Sequence, residues 1–249
     1  MQACRQSVVP GIILDCRDHG EADKIVTFFC QGKGRLTGIA KGAHRSKKRF
    51  VNGLELFSMV LLNYSQRTRD RLAIVNEVEL LNSFINVRHD YGAYQAASAI
   101  REIVLGATGE QMVEDDFFQL TLWGFHALDS GKDTLTVLAL FVIKMFACIG
   151  YRPVLENCQG CGMPYRSNGA AMFSPAAGGL ICSRCKSSHH GWQLSGAAIG
   201  AATSVQRQPL PLLTRVSLTT DVSRQLLSSF YPYVRYLLQR DIVSWKALI

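Results

Sequence analysis

Two hydrophobic periods divide this chain. Up to about residue 82, apolar and polar positions alternate in short runs. Ile12, Leu14 and Cys16 alternate with Ile13, Asp15 and Arg17, and residues 25–30 form a β-branched and aromatic run. Residues 35–41 set Leu36, Gly38 and Ala40 on one face. Successive side chains of a strand point to opposite faces, so a period of two predicts strands. Residues 55–64 and 72–81 are two further strand candidates, separated by a polar turn at 65–70. Gln31-Gly32-Lys33-Gly34 reads as a hairpin turn, where glycine supplies the positive φ that such turns require. Five short strands with glycine turns fit a small closed barrel such as the OB-fold, in which closure removes exposed edges. An SH3-like barrel or a half-open sheet carries the same pattern.

Near residue 84 the period changes to that of a helix. Residues 91–105 place Tyr94, Ala97, Ile100, Ile103 and Val104 on one face, and residues 114–128 do so with Phe117, Leu120, Leu122 and Phe125. The cluster Glu114, Asp115, Asp116 suits a helix N-terminus, whose partial positive charge favours carboxylates. Residues 133–149 are apolar nearly all round and predict a central helix, ended by Gly150 and Pro153. Residues 195–206 and 221–239 predict two more helices, with the Pro209-Leu210-Pro211 break between them. For 249 residues, two domains are expected: a barrel at 1–82 and a mainly α-helical domain at 83–249, with an insert at about 154–190. The longest apolar run, 135–143, falls well short of the roughly 20 residues that a membrane helix needs. The N-terminus has no secretory pattern, so a cytoplasmic protein is expected.

The insert carries the sharpest local signal. Cys158-Gln-Gly-Cys161 is followed, after twenty residues, by Cys182-Ser-Arg-Cys185. Each Cys-x-x-Cys turn can present two thiolates to a tetrahedral zinc ion, and the spacing is that of a zinc ribbon, with a small hairpin between the pairs. Gly162 eases the sharp turn after Cys161. Four thiolates leave no position for an activated water, so the zinc would be structural. Two disulfides or a redox pair are the competing readings, although the thioredoxin-like context of a redox pair is missing. His189 and His190 follow closely, as substitute ligands or as exposed loop residues. The isolated Cys4, Cys16, Cys30 and Cys148 read as small hydrophobes.

Charge adds direction. The net charge is +8, from 27 Lys and Arg against 19 Asp and Glu, and it is unevenly spread. Residues 31–54 contain no acid, while Lys33, Arg35, Lys41, Arg45, Lys47, Lys48 and Arg49 are cationic. Cations at this density neutralise phosphates and release counterions, which points to nucleic acid, with Arg67, Arg69 and Arg71 on the next predicted turn extending the patch. Phe50, Phe57 and Tyr64 are available to stack on bases or to fill the core; for Phe57, expected mid-strand, the core is the expected place. A merely solubilising face is the competing reading of the charges.

No catalytic pattern accompanies the patch. There is no G-x-x-x-x-G-K-[ST], H-E-x-x-H or G-x-S-x-G, and adjacent carboxylates at 114–116 point in different directions on a helix. The chain therefore reads as a non-enzyme. A metal-dependent nuclease and a protein adaptor without DNA binding are the alternatives.

Several segments together resemble the RecO recombination mediator family of bacterial DNA repair. They are His19-Gly-Glu-Ala-Asp-Lys-Ile-Val26, Gly34-Arg-Leu-Thr-Gly-Ile-Ala-Lys-Gly-Ala43 with Arg45-Ser-Lys-Lys-Arg49, Gly150-Tyr-Arg-Pro153, the two Cys pairs, and Ser244-Trp-Lys-Ala-Leu248. The resemblance implies an N-terminal OB-fold, a helical C-terminal domain with a zinc-finger-like insert, and activity without ATP. It also implies binding of single- and double-stranded DNA, annealing of complementary strands, and cooperation with RecR in loading RecA onto strands covered by single-strand-binding protein. Contact with the acidic, hydrophobic C-terminal tail of that protein is implied too. His44 stands where the family commonly has a basic residue, which weakens the patch at neutral pH.

Overall fold

A computed structural model describes residues 5–68, 72–109, 115–165 and 169–249. Five strands, β1 (Arg5–His19), β2 (Asp23–Cys30), β3 (Gly34–Ala40), β4 (Met59–Gln66) and β5 (Ala73–Asn82), form a closed barrel in the order β1-β2-β3-β5-β4. All neighbours are antiparallel except β3 and β5, and β1 closes the ring by pairing with β2 through residues 11–19 and with β4 through residues 5–12. This is an OB-like closed barrel, which settles the choice between closed and half-open sheets.

The parallel β3–β5 seam is short, only Gly38 to Ala73 and Ile39 to Ile74. Gly38 permits it: a Cβ there would lie 2.8 Å from Val75 Cγ2 and 3.1 Å from the Ala73 carbonyl oxygen. The barrel interior is filled by Ile13, Val26, Phe28, Leu36, Val60, Leu62, Val75 and their neighbours. Ile12, Leu14 and Phe29 face the other way, yet they too are buried, because helices cover that side of the barrel.

The helices are α1 (Ile85–His89), α2 (Tyr91–Ala107), α3 (Asp115–Asp129), α4 (Thr134–Cys148), α5 (Gly196–Arg207), α6 (Thr220–Leu238) and α7 (Val243–Lys246). Short polar side chains start four of them. The side chains of Asp90, Asp133, Ser195 and Thr219 accept from the backbone N–H three residues on, satisfying donors that the helix leaves open. As its composition predicts, α4 is central, with residues 136–143, Met145 and Phe146 all buried. Between α4 and α5 lie four strands, β6 (Val154–Cys158), β7 (Ala171–Ser174), β8 (Gly179–Ile181) and β9 (Trp192–Leu194), in the order β6-β8-β7-β9. The β7–β8 pair is the hairpin expected between the two cysteine pairs. No helix among the described residues is long and apolar enough to cross a membrane.

One strand departs from expectation. The run 55–64 becomes a strand only at Met59, because Phe57 adopts φ 71° and turns its ring out of the barrel. There it packs edge-on against Tyr94 and Phe125, at 5.4 and 5.5 Å between ring centres. The expected core role holds, but Phe57 belongs to the seam between barrel and helices. Phe29 makes the matching contact with Phe117 and Phe118, at 5.8 and 5.6 Å.

Because β3 approaches β5 so closely at Gly38, Gly38→Ala overpacks the barrel. It is expected to cost about 1–3 kcal/mol in denaturant unfolding, with a lowered melting temperature.

Candidate nucleic-acid interface and metal centre

The basic segment is a structured cap on the barrel, not a free loop. Residues 41–58 connect β3 to β4, and three apolar side chains pin them. Phe50 and Leu54 enter the barrel core, while Phe57 enters the helical core. The start of the segment is held by Gly42 N–H donating to Asp23 Oδ1 at 2.8 Å and by His44 N–H donating to the Ala22 carbonyl at 3.1 Å. Farther on, Val78 N–H donates to the Arg49 carbonyl at 2.9 Å. With Phe50, Leu54 and Phe57 turned inward, the segment exposes Lys41, Arg45, Lys47, Lys48 and Arg49, and Val51 with them. Arg49 is partly committed locally: it lies 4.9 Å over the Phe50 ring, and its Nη2 donates to the Lys41 carbonyl at 2.8 Å. His44 Nε2 lies 3.0 Å from Asp18 Oδ1.

The register places the remaining candidate cations. β3 runs parallel to β5 and β4 antiparallel to it, so Lys41, after β3, and Arg67, after β4, leave their strands at opposite ends. Arg67 is exposed; Arg69 and Arg71 lie outside the described residues. Lys33 is exposed on the β2–β3 turn, at the opposite end of the seven-residue β3, a strand of about 20 Å. The adjacent Gly32 N–H donates to Asp115 Oδ1 at 2.8 Å, which ties that turn to the start of α3. Arg35 is half-buried, and its Nη1 donates to the Leu105 carbonyl in α2 at 2.9 Å. The predicted cations are thus divided: Lys41 to Arg49 on the cap after β3, Lys33 and Arg67 on turns at the other strand ends, and Arg35 bound into the seam.

The aromatics require a correction. Phe50, Phe57 and Tyr64 are 5%, 0% and 5% exposed and are not available to stack on bases. Burial also pushes the Tyr64 hydroxyl above its ordinary range. Lys48 instead lines a groove of about 410 Å³ with Val8, Val51, Leu80, Glu77 and Glu79, so one flank of the cap is apolar and acidic.

The four cysteines converge. The Sγ atoms of Cys158, Cys161, Cys182 and Cys185 all lie within 4.8 Å of one another, and Cys161 Sγ is 3.7 Å from Cys182 Sγ. Tetrahedral thiolates about 2.3 Å from a metal ion stand about 3.8 Å apart, so the group fits a tetrahedrally bound ion. No disulfide joins the described cysteines. Backbone geometry favours the thiolate form at Cys158, whose Sγ accepts from Gly160 N–H at 3.4 Å and Cys182 N–H at 3.3 Å. Burial alone would raise that thiol, but these N–H groups outweigh it and bring it down to about 6. Cys185, hydrogen-bonded to Cys161 and Cys182, is pushed up to about 12. The chain turns after Cys161 at Gly162, with φ 72°. His190 is exposed and His189 half-exposed, and neither joins the ligand group. Among the described residues these cysteines are the one group of His, Cys, Asp and Glu placed to hold a metal ion. Asp115 is engaged by the Gly32 turn, and Glu114 lies outside the described residues. Cys30, by contrast, is buried in the barrel, its thiol pushed up to about 12 by burial, in keeping with a small hydrophobe.

Comparison with known proteins assigns both halves. Residues 2–84 match the family described as Recombination protein O N terminal, and residues 88–246 match Recombination protein O C terminal. The chain belongs to the RecO family of DNA repair proteins. A DNA repair protein RecO from Desulfatibacillum aliphaticivorans is 32% identical over 230 residues, 89% of each chain. The RecO of Syntrophobacter fumaroxidans is 38% identical over 171 residues, 69% of this chain and 68% of its own. That of Syntrophus aciditrophicus is 28% identical over 244 residues, 96% of this chain and 93% of its own. The two matched regions coincide with the OB-like barrel and with the helical domain that carries the cysteine cluster.

Sequence reasoning had no signal for the polar struts of the seam. Besides Arg35 and Asp115, Arg101 Nη1 donates to the Leu14 carbonyl at 3.0 Å, and Arg88 Nη2 donates to the Leu56 carbonyl and Ser58 Oγ at 2.8 and 2.7 Å. Arg35→Gln removes one strut. It is expected to destabilise the protein by about 1–3 kcal/mol in denaturant unfolding. Treatment with a chelator, or Cys161→Ser, is expected to lower the melting temperature, with metal content and melting measured on the same samples.

Proposed function

We propose that this chain is a DNA repair and recombination mediator that binds single- and double-stranded DNA and anneals complementary strands without ATP. The observation that carries this reading is the cap at 41–58. It turns Phe50, Leu54 and Phe57 into two cores and presents Lys41, Arg45, Lys47, Lys48 and Arg49 to solvent. A preformed cationic surface binds a phosphate backbone with little ordering cost and gains from counterion release. An annealing protein needs no bond-breaking machinery: neutralising the repulsion between two phosphate backbones is enough to let bases pair.

In this reading the barrel, 1–82, is the DNA-binding domain, and the helical domain, 83–249, carries protein contacts and the insert. The cysteine cluster holds structural zinc, since four thiolates with no open position suit a d¹⁰ ion and leave no site for a reacting water. Family membership supports cooperation with RecR, contact with the C-terminal tail of single-strand-binding protein, and loading of RecA onto covered strands. Such work belongs in the cytoplasm, at the nucleoid.

The test uses two complementary labelled strands and follows pairing by energy transfer, without nucleotide. Annealing that slows as salt rises is expected. The triple variant Lys41→Gln, Lys47→Gln, Lys48→Gln should lower the slope of log affinity against log salt for single strands by about 2, at 0.7 per lost phosphate contact. An unchanged slope in the folded variant would overturn the site assignment.

A further inference from the structure

We propose that the groove between the cysteine-bearing insert and α6 is a second nucleic-acid site, one that takes the unpaired bases of a single strand. The inference rests on the DNA-binding reading above and extends it to a surface containing no barrel residue. The groove encloses about 590 Å³. The insert contributes Pro175, His190 and Trp192, and the end of α6 with the residues after it contributes Arg235, Tyr236 and Arg240.

Two aromatic rings stand in this groove, both open to solvent. Trp192 is 43% exposed and Tyr236 58%, the latter on a helix whose other aromatics, Phe230, Tyr231 and Tyr233, are buried. Phe173, the β7 partner of Trp192, is 0% exposed and packs against Phe230 and Tyr233 of α6, at 5.0 and 5.5 Å between ring centres. Those contacts lock the insert to α6 from beneath, so both walls of the groove are held by one buried aromatic cluster. The open rings above it are not members of that buried cluster.

The charge is also of the required sign. The carboxylate in the groove, Asp241, is matched locally: Lys246 Nζ lies 2.9 Å and the Tyr231 hydroxyl 3.1 Å from its oxygens, and Arg235 Nη1 lies 3.8 Å away. With Asp241 answered by Lys246, Arg235 and Arg240 give the groove a positive balance. Exposed rings interleaved with guanidinium groups are the features by which proteins hold single strands, bases stacking on rings and phosphates meeting cations. A duplex hides its base faces in its own stack, so the groove selects unpaired strands. The barrel cap holds a polyanion by charge alone. A second site that displays bases would keep the second strand ready to pair.

Trp192 supplies its own probe. Of the three tryptophans, Trp123 is 8% exposed and Trp245 0%, so quenching by a bound base reports mainly on Trp192. Titrating the full chain with an oligothymidylate of about 12 nucleotides is expected to quench its emission, and Trp192→Phe should remove most of that signal while binding persists. The double variant Trp192→Ala, Tyr236→Ala should lose affinity roughly tenfold. The double variant Trp192→Phe, Tyr236→Phe, which keeps both rings, should stay within about twofold and so separates stacking from folding. Oligothymidylate that binds without quenching, and with unchanged affinity in the alanine variant, overturns the groove alone. No binding of oligothymidylate to the wild-type chain overturns the DNA reading itself. Quenching by an acidic, aromatic peptide but not by bound oligothymidylate would make the groove a peptide site and overturn the proposal.

Discussion

The apolar seam between barrel and helices decides what the rest of the molecule can do. Ile12, Leu14, Phe29 and Phe57 leave the barrel interior and join the helical core, where Phe117, Phe118 and Phe125 meet them. Burying an Ile, Leu or Phe side chain contributes about 1.5–3 kcal/mol, so these four residues fasten the barrel face firmly to α2 and α3. Once that side is covered, the strand end carrying Gly32 and Lys33 lies against α3, and the free surface of the barrel is the opposite end. The cap at 41–58 occupies that end. Its position follows from the seam, because Phe57 is at once the last anchor of the cap and a member of the seam.

This coupling also explains why charge alone does not distinguish the cations. In the sequence, Arg35 and Lys47 stand in one acid-free run and look alike. In the fold, Arg35 sits on the strand that passes the helices and donates to the Leu105 carbonyl, while Lys47 extends from the cap. A guanidinium with several donors suits a buried carbonyl that would otherwise lack a partner, which is why arginines serve as struts at the seam. The same holds for Arg88 and Arg101.

What was legible followed from local periodicity and spacing. The alternation around Ile13 and Leu36, the helical faces at Ile100 and Phe117, the central apolar helix at 134–148 and the two cysteine pairs all come from physics acting over a few residues. The features that were not legible depend on contacts made by the folded chain. Phe57 was expected in a strand, but tertiary packing holds it at φ 71° against Tyr94. Phe50 and Tyr64 looked free to stack on bases until the cap and barrel enclosed them. Trp192 and Tyr236 are distant in sequence and lie in ordinary surroundings, and only the docking of Phe173 onto α6 brings their elements together.

The central claim is that DNA meets the cap end of the barrel and not the seam end. Lysine footprinting tests it most directly: a reagent that modifies amines is applied to the full chain with and without a bound oligonucleotide, and each lysine is scored. Lys41, Lys47 and Lys48 are expected to be protected by DNA, while Lys33 reacts as fast as in the free protein. Protection of Lys33, with the cap lysines unchanged, would contradict it.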